Sequence, residues 1–197
     1  MKKIEFNKTK PAMRMLMIVA VLFSALSINA QKYLTKDGMI RFYSEAPLEE
    51  IEAVNNQVNC AFSAGSGDLV FKVLMKSFQF EKALMQEHFN ENYVESDKYP
   101  NSVFKGKVVN FKNVDYKTPG NYEVDIKGEL TIHGETNPVN EKGTFTVRDD
   151  GSIDGFAVFF IKLDDYKIKI PKAVVENIAE EIEITVDLNL QKLDSDS

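Results

Sequence analysis

The sequence predicts an all-β fold: an eight-stranded antiparallel barrel with one main helix. Three observations predict it. Apolar and polar residues alternate with period two through most of the chain after residue 31, as in strands with one dry and one wet face. Clusters such as "SAGSGD", "KTPGN", "HGETNPVNEKG" and "RDDGS" break the runs at regular intervals, the spacing of a sandwich or barrel. A single stretch, residues 80–94, has sustained helical spacing instead. Closing an up-and-down barrel removes exposed strand edges, which favours it over an open sandwich.

Taken in order, Ile40 and Phe42 flank Arg41 in a first short run. Val54, Asn56, Val58, Cys60 and Phe62 then alternate with polar or small residues, which places Cys60 inside. "DLVFKVLMKSF" (68–78) and "GFAVFFIKL" (155–163) are apolar on both faces, so cover is expected outside the sheet there. The candidate cover is the helix of 80–94, with Phe80, Leu84, Met85, His88 and Phe89 on one side. Phe104, Gly106 and Val108 form the next inward row. Tyr122, Val124, Ile126, Gly128, Leu130 and Ile132 form the longest, with His133 on the opposite, solvent-facing row. Phe145 and Val147 follow. A short helix is expected near 172–180 after Pro171, and a last strand carries Ile182, Ile184, Val186, Leu188 and Leu190 inward. Residues 31–193 read as one domain and 194–197 as a disordered tail.

The N-terminus predicts export. Lys2, Lys3, Lys8, Lys10 and Arg14 precede an apolar run from Met15 to Leu26, and Ala30 stands at a small-residue cut. That is the pattern of a secretory signal peptide over residues 1–30, leaving a mature chain from Gln31. The run is shorter than the ~20 residues of a membrane span, and no cysteine follows the cut to carry a lipid. Net charge is 24 − 30 = −6; removing five bases and Glu5 leaves 19 − 29 = −10. An acidic mature domain lacks the basic footprint of a nucleic-acid binder and is repelled by anionic lipid headgroups.

No residue pattern points to catalysis or to a cofactor. Cys60 is the only cysteine, inward by parity, whereas His133 points outward and His88 lies on the helix, so no nucleophile–base pair forms. Two distant histidines and scattered carboxylates have no zinc spacing, and the Asp and Glu of the loops are turn formers. Asp164-Asp165 and Glu180-Glu181 are sequence neighbours, which a strand sends to opposite faces. A non-enzymatic protein is expected.

Three stretches carry a family resemblance: "NYVESDKYPNSVFKG" (92–106), "GELTIHGETNPV" (128–139) and "FAVFFIKLDDYKI" (156–168). Tyr99-Pro100 with Phe104, and Leu130-Thr131-Ile132-His133-Gly134 with Thr136 and Pro138, are their most specific parts. In this order and spacing they resemble the YceI-like family of exported proteins. The resemblance implies a lipocalin-like, eight-stranded barrel whose interior holds a long polyisoprenoid chain, and a periplasmic or secreted location. Two features depart from the family pattern. The chain has no Trp, and Leu163 to Lys167 stand where Arg-x-Asp-Phe-Gly is common. If that Arg holds a polar head group, this chain takes another head or none.

An eight-stranded barrel is just wide enough to fill with side chains or to hold one slim ligand. The residues expected to line a cavity are Phe71, Val73, Met75, Phe104, Val108, Ile126, Leu130, Phe156 and Phe160. Asn56, Ser77 and Asn110 are the polar residues expected on the inward rows, and none is charged. Gly106 and Gly128 on those rows either leave room or mark bends. The expected ligand is a long isoprenoid or other lipid. The alternative is a structural or interaction module with a filled core, and a homodimer stays open as an oligomeric state. A continuous apolar cavity separates the two.

Overall fold

The computed structural model describes residues 31–193. The expected signal peptide (1–30) and tail (194–197) lie outside the described residues. The strands are β1 (Lys32–Glu45), β2 (Glu50–Ser63), β3 (Asp68–Leu74), β4 (Gln79–Phe80), β5 (Asn101–Val108), β6 (Gly120–Ile132), β7 (Glu135–Val147), β8 (Ile153–Lys162) and β9 (Glu181–Lys192). All pairings are antiparallel, in the order β1-β9-β8-β7-β6-β5-β3-β2, and β1 pairs with β2 to close the ring. The two-residue β4 continues the line of β3 beside β2, pairing Phe80 with Ala53 after a 3-10 turn at Met75–Ser77. The barrel therefore has eight staves, the third of them broken.

Most inward rows are those that the period-two pattern marks. Val124, Phe145, Val147, Leu188 and Leu190 are buried, and the polar residues that alternate with them, such as Glu123, Thr146 and Asn189, are on the outward row. The β2 row shifts by one. Ala53 and Asn55 are buried, Asn56 is exposed, and the phase returns at Val58. An extra residue between the pairs Ile40↔Asn55 and Gly38↔Val58 causes the slip. Asn55 is satisfied inside: its Nδ2 donates to Leu74 O (2.9 Å) and its Oδ1 accepts from Gln57 N (2.9 Å).

Four further expectations are corrected. The main helix is shorter than 80–94: α1 spans Ala83–His88 and runs on as one π-helical turn, Phe89–Tyr93. Phe80 belongs to β4, where its backbone has a strand partner. The helix near 172–180 is a single 3-10 turn at Lys172–Val174; the β-branched pair Val174-Val175 is poor helix sequence. "GETNPVNEKG" is strand β7 and not a loop, with only His133-Gly134 turning the hairpin at positive φ. Nor is the sheet covered outside: Val70, Leu74, Phe156, Val158 and Phe160 are exposed. The helix sits over one end of the barrel, against Phe42 and Phe78, and leaves the outer faces bare.

The two ends of the interior differ. At one end Tyr33, Phe62, Tyr116 and Phe145 pack ring on ring, at centroid distances of 5.1–6.3 Å, among fully buried Val58, Val108, Ile153 and Leu190. That end is solid. At the other, Phe42, Phe78, Phe80 and Phe89 form a second aromatic cluster beneath α1, at 5.1–5.7 Å.

Candidate functional site

Between the two aromatic clusters the apolar rows do not meet. They enclose a cavity of about 470 Å³, within the range of small-molecule sites. Leu69, Phe71, Val73 and Met75 line it from β3 and the turn after it; Phe104 does so from β5, and Val124, Ile126, Leu130 and Ile132 from β6. Gly155, Ala157, Phe159 and Ile161 complete it from β8, with Ile182, Ile184, Val186 and Leu188 from β9. The Phe42–Phe89 cluster, Leu84, Met85 and His88 form its roof together with Val174, Asn177 and Ile178.

Six of the nine residues expected on the wall are there with inward side chains: Phe71, Val73, Met75, Phe104, Ile126 and Leu130. Val108 is inward but sits in the solid end, fully buried and away from the cavity. Phe160 is a correction: it is 60% exposed and forms no part of the wall. Phe156 borders the cavity, yet it shares Phe160's outward row and is 50% exposed. The run is apolar on both faces, so its own pattern cannot fix which row turns inward. Pairing with β9 does. Ala157, Phe159 and Ile161 stand opposite Val186, Ile184 and Ile182, the inward row of an unambiguous strand. Of the roof residues Phe42 belongs to the first alternating run, whereas Leu84, Met85, His88, Val174, Asn177 and Ile178 come from segments outside those runs, where period two assigns no face.

The hydroxyls at the wall are satisfied by the protein. Ser44 Oγ accepts from Ala179 N (2.9 Å), and Ser102 Oγ donates to Thr131 O (2.9 Å). Glu141 on β7, opposite inward Ile126, is a charged wall residue that the expectation of uncharged inward rows missed. It makes no hydrogen bond or ion pair among the described residues. At the rim, Glu49 accepts from Lys82 Nζ (2.7 Å) and from Asn177 Nδ2 (3.4 Å), tying the β1–β2 turn to both roof segments. The lysine holds the Glu49 carboxyl below its usual range, and Glu49 raises Lys82 in turn. Of the polar residues expected inside, Asn56 is exposed. Ser77 bonds Gln57 at the surface, and Asn110 caps the start of β6 through Glu123 O and Asp125 N.

Gly106 and Gly128 face each other across the β5–β6 ladder. The tip of the Phe104 ring occupies the space above both: a Cβ on Gly128 would stand 2.7 Å from Phe104 Cζ and 2.5 Å from Gly106 Cα. The glycines let an aromatic wall residue lie flat on the sheet.

His133 is the second correction at the site's margin. Its side chain is 12% exposed and not solvent-facing, because the strand parity ends at Ile132 and the turn re-aims it. Its Nδ1 lies 3.0 Å from Tyr166 O and its Nε2 2.7 Å from Glu95 Oε2, with the Tyr99 ring edge-on at 4.8 Å. A carbonyl and an ionised carboxylate both accept, so both bonds form together only when the ring carries both protons. The residue is a strut joining the β6–β7 turn, the segment after β8 and the segment after α1. His133→Ala is expected to lower stability by about 1–2 kcal/mol, read as a lower urea midpoint with unchanged slope.

Cys60 is 3% exposed, and burial pushes its thiol far above the usual range. Since the thiolate is the reactive form, the native protein should resist a disulfide reagent even at mildly alkaline pH and react at once in denaturant. Fast native labelling would contradict this. Among the described residues no three His, Cys, Asp or Glu side chains converge as metal ligands, and no helix is long and apolar enough to cross a membrane.

The model of the YceI-like domain matches residues 36–190, from within β1 to within β9. The chain belongs to the YceI-like family. This YceI-like chain is 31% identical over 106 residues to UPF0312 proteins of Pseudomonas putida, among them that of strain W619, the match covering 51% of the chain and 50% of the relative. It thus spans about half the length of the curated relatives it matches. Among solved structures it is similar to a polyisoprenoid binding domain from Saccharophagus degradans, implicated in plant cell wall breakdown. The TM-score is 0.72 at 13% identity, over 82% of this chain and 98% of that one. Burkholderia cenocepacia BcnA follows with 0.61 and 13%, over 78% and 96%, and the Campylobacter jejuni YceI protein with 0.52 and 17%, over 71% and 81%. At such identities these structures share the fold of the YceI-like chain, a closed eight-stranded antiparallel barrel.

Proposed function

We propose that this YceI-like protein is exported, cut after Ala30, and holds one long apolar chain, isoprenoid or similar, in its barrel without reacting with it. The observation that carries the reading is the cavity between two aromatic clusters, apolar but for Glu141 on β7, its hydroxyls already paired within the protein. A small polar metabolite needs several convergent hydrogen-bonding groups, and this wall offers the single carboxylate of Glu141. An apolar chain needs only burial. Each methylene contributes about 0.8 kcal/mol, so a five-carbon isoprene unit contributes about 4 kcal/mol. Association costs about 4–15 kcal/mol, so two to four units, roughly, are needed before affinity appears. The Saccharophagus degradans domain of the same fold is a polyisoprenoid binding domain, which agrees with that ligand class. The periplasm or the extracellular space is the proposed location, from the residue pattern of 1–30.

The test is extraction. Protein purified from the exported fraction should begin at Gln31 and release into organic solvent an apolar chain of at least ten carbons or so. Native mass spectrometry that finds only the bare polypeptide, before and after exposure to a membrane extract, would leave the cavity without its proposed ligand.

A further inference from the structure

The barrel is closed unevenly. β6 and β7 pair along their whole length, from Gly120↔Val147 to Ile132↔Glu135. β7 and β8 pair only from Thr144↔Phe156 to Val147↔Ile153. Beyond that point β7 runs back through residues 143–135 and β8 on through 157–162 without a mutual ladder. The β2–β3 joint has as few pairs, but β4 and the Asn55–Leu74 bond close it further along. Among the described residues neither a ladder pair nor a side-chain hydrogen bond joins 135–143 to 157–162. The seam is pinned at its far end by the segment after β8. Asn137 Nδ2 donates to Asp165 O (2.6 Å), Lys167 Nζ pairs with Glu135 (2.7 Å), and His133 meets Tyr166 O. Gly143 still packs against Phe156 and Ala157, so the slot begins beyond them and runs for about 17 Å along 158–162, at about 3.3 Å per residue.

Both flanks of the slot are cavity wall: Val139 and Glu141 on β7, Phe159 and Ile161 on β8. On the outside, the β8 lip presents Phe156, Val158 and Phe160 at alternate positions, 50%, 41% and 60% exposed. Such a ridge is an apolar surface on an otherwise acidic chain. Its neighbours on β9 are Asp187, Thr185 and Glu183, with Glu183 paired to Arg41 of β1 (3.0 Å), and its row ends at Lys162, paired to Glu181 (3.5 Å). The surround thus carries both signs of charge, and its complement is a zwitterionic surface.

We propose that the slot between β7 and β8 is a lateral portal, and that the Phe156–Val158–Phe160 ridge seats on a zwitterionic lipid surface so that an apolar chain passes sideways into the cavity. The occupant of the ridge is a bilayer because the ridge borders the seam that opens on an apolar interior. A chain leaving hydrocarbon there meets the apolar side chains of the β8 flank, with Glu141 the charged group on the β7 flank. The solid aromatic end offers no such path, and the α1 end is capped by four phenylalanines and the Glu49–Lys82–Asn177 tie. The inference rests on the apolar-chain reading of the cavity.

The experiment separates the two. Wild-type protein and V158E/F160E are given fluorescently labelled farnesol, first from solution and then preloaded in phosphatidylcholine vesicles. Both substituted positions are outside the cavity wall, so affinity from solution should be unchanged, while uptake from vesicles should slow by about tenfold, 1.4 kcal/mol in the barrier. The pair V158T/F160T, which keeps strand-forming residues, should slow uptake in the same direction. Equal uptake rates for all three proteins overturn the portal and leave the cavity reading standing. A wild-type dimer that either variant splits, seen by sedimentation, assigns the ridge to a second copy and overturns the portal too. No binding of the probe to wild type in either format ends both readings.

Discussion

Ala157→Trp is expected to abolish retention of an apolar chain while the barrel stays folded. Ala157 is on the inward row of β8, opposite Val186, and its side chain faces the cavity from beside the slot. An indole there enters existing empty space, so the core is not forced apart as it would be at a packed site. The room it takes is room for ligand carbon. Losing burial of even two methylenes is worth about 1.6 kcal/mol, more than tenfold in affinity. The measurement is titration with labelled farnesol alongside a denaturation midpoint. Lys72→Trp is the control: Lys72 is exposed on the outer face of β3, between the inward Phe71 and Val73. A filled-core module would bind no farnesol in either form, and Ala157→Trp alone would lower its midpoint by overpacking.

Gly128→Val is expected to have the largest effect on stability of any single substitution in the wall. A Cβ at this position meets Gly106 Cα and Lys105 O, each at 2.5 Å, as well as the Phe104 ring. Two of those three obstacles are backbone of the neighbouring strand and cannot rotate away. The β5–β6 ladder must therefore separate locally, or Phe104 must leave its seat, and overpacking of this kind costs about 3 kcal/mol or more. A chain with a typical margin of about 5–15 kcal/mol would show this as a large fall in its unfolding midpoint. Lys127→Val, one residue earlier and on the exposed face, should be close to neutral. A Gly128→Val protein of wild-type stability would mean that the ladder is looser than its register implies.

Where one face of a strand is polar, the sequence was readable. β6 and β9 alternate cleanly, and every apolar member of their rows turns inward, Ile126, Leu130, Val186 and Leu188 among them. β8 was not readable in that way. Its two rows are both apolar, and Phe160, apolar enough for a wall, stands outside because Ala157, Phe159 and Ile161 face β9's inner row. β2 misled for a different reason: one extra residue reverses the phase, and Asn55, the apparently outward amide, is the buried one. His133 was misplaced because alternation holds only inside a strand, and a residue at φ 52° in the turn obeys its neighbours instead.

By itself the sequence determined the class of fold, the family and the apolar character of the interior, because all three follow from local periodicity and short motifs that a chain carries along its length. Whether the apolar rows interlock or stand apart, which face of β8 turns inward, and how far the β7–β8 seam is zipped were decided only in three dimensions. Each depends on distances between residues far apart in sequence, and those distances are set by the closure of the barrel and not by any one strand.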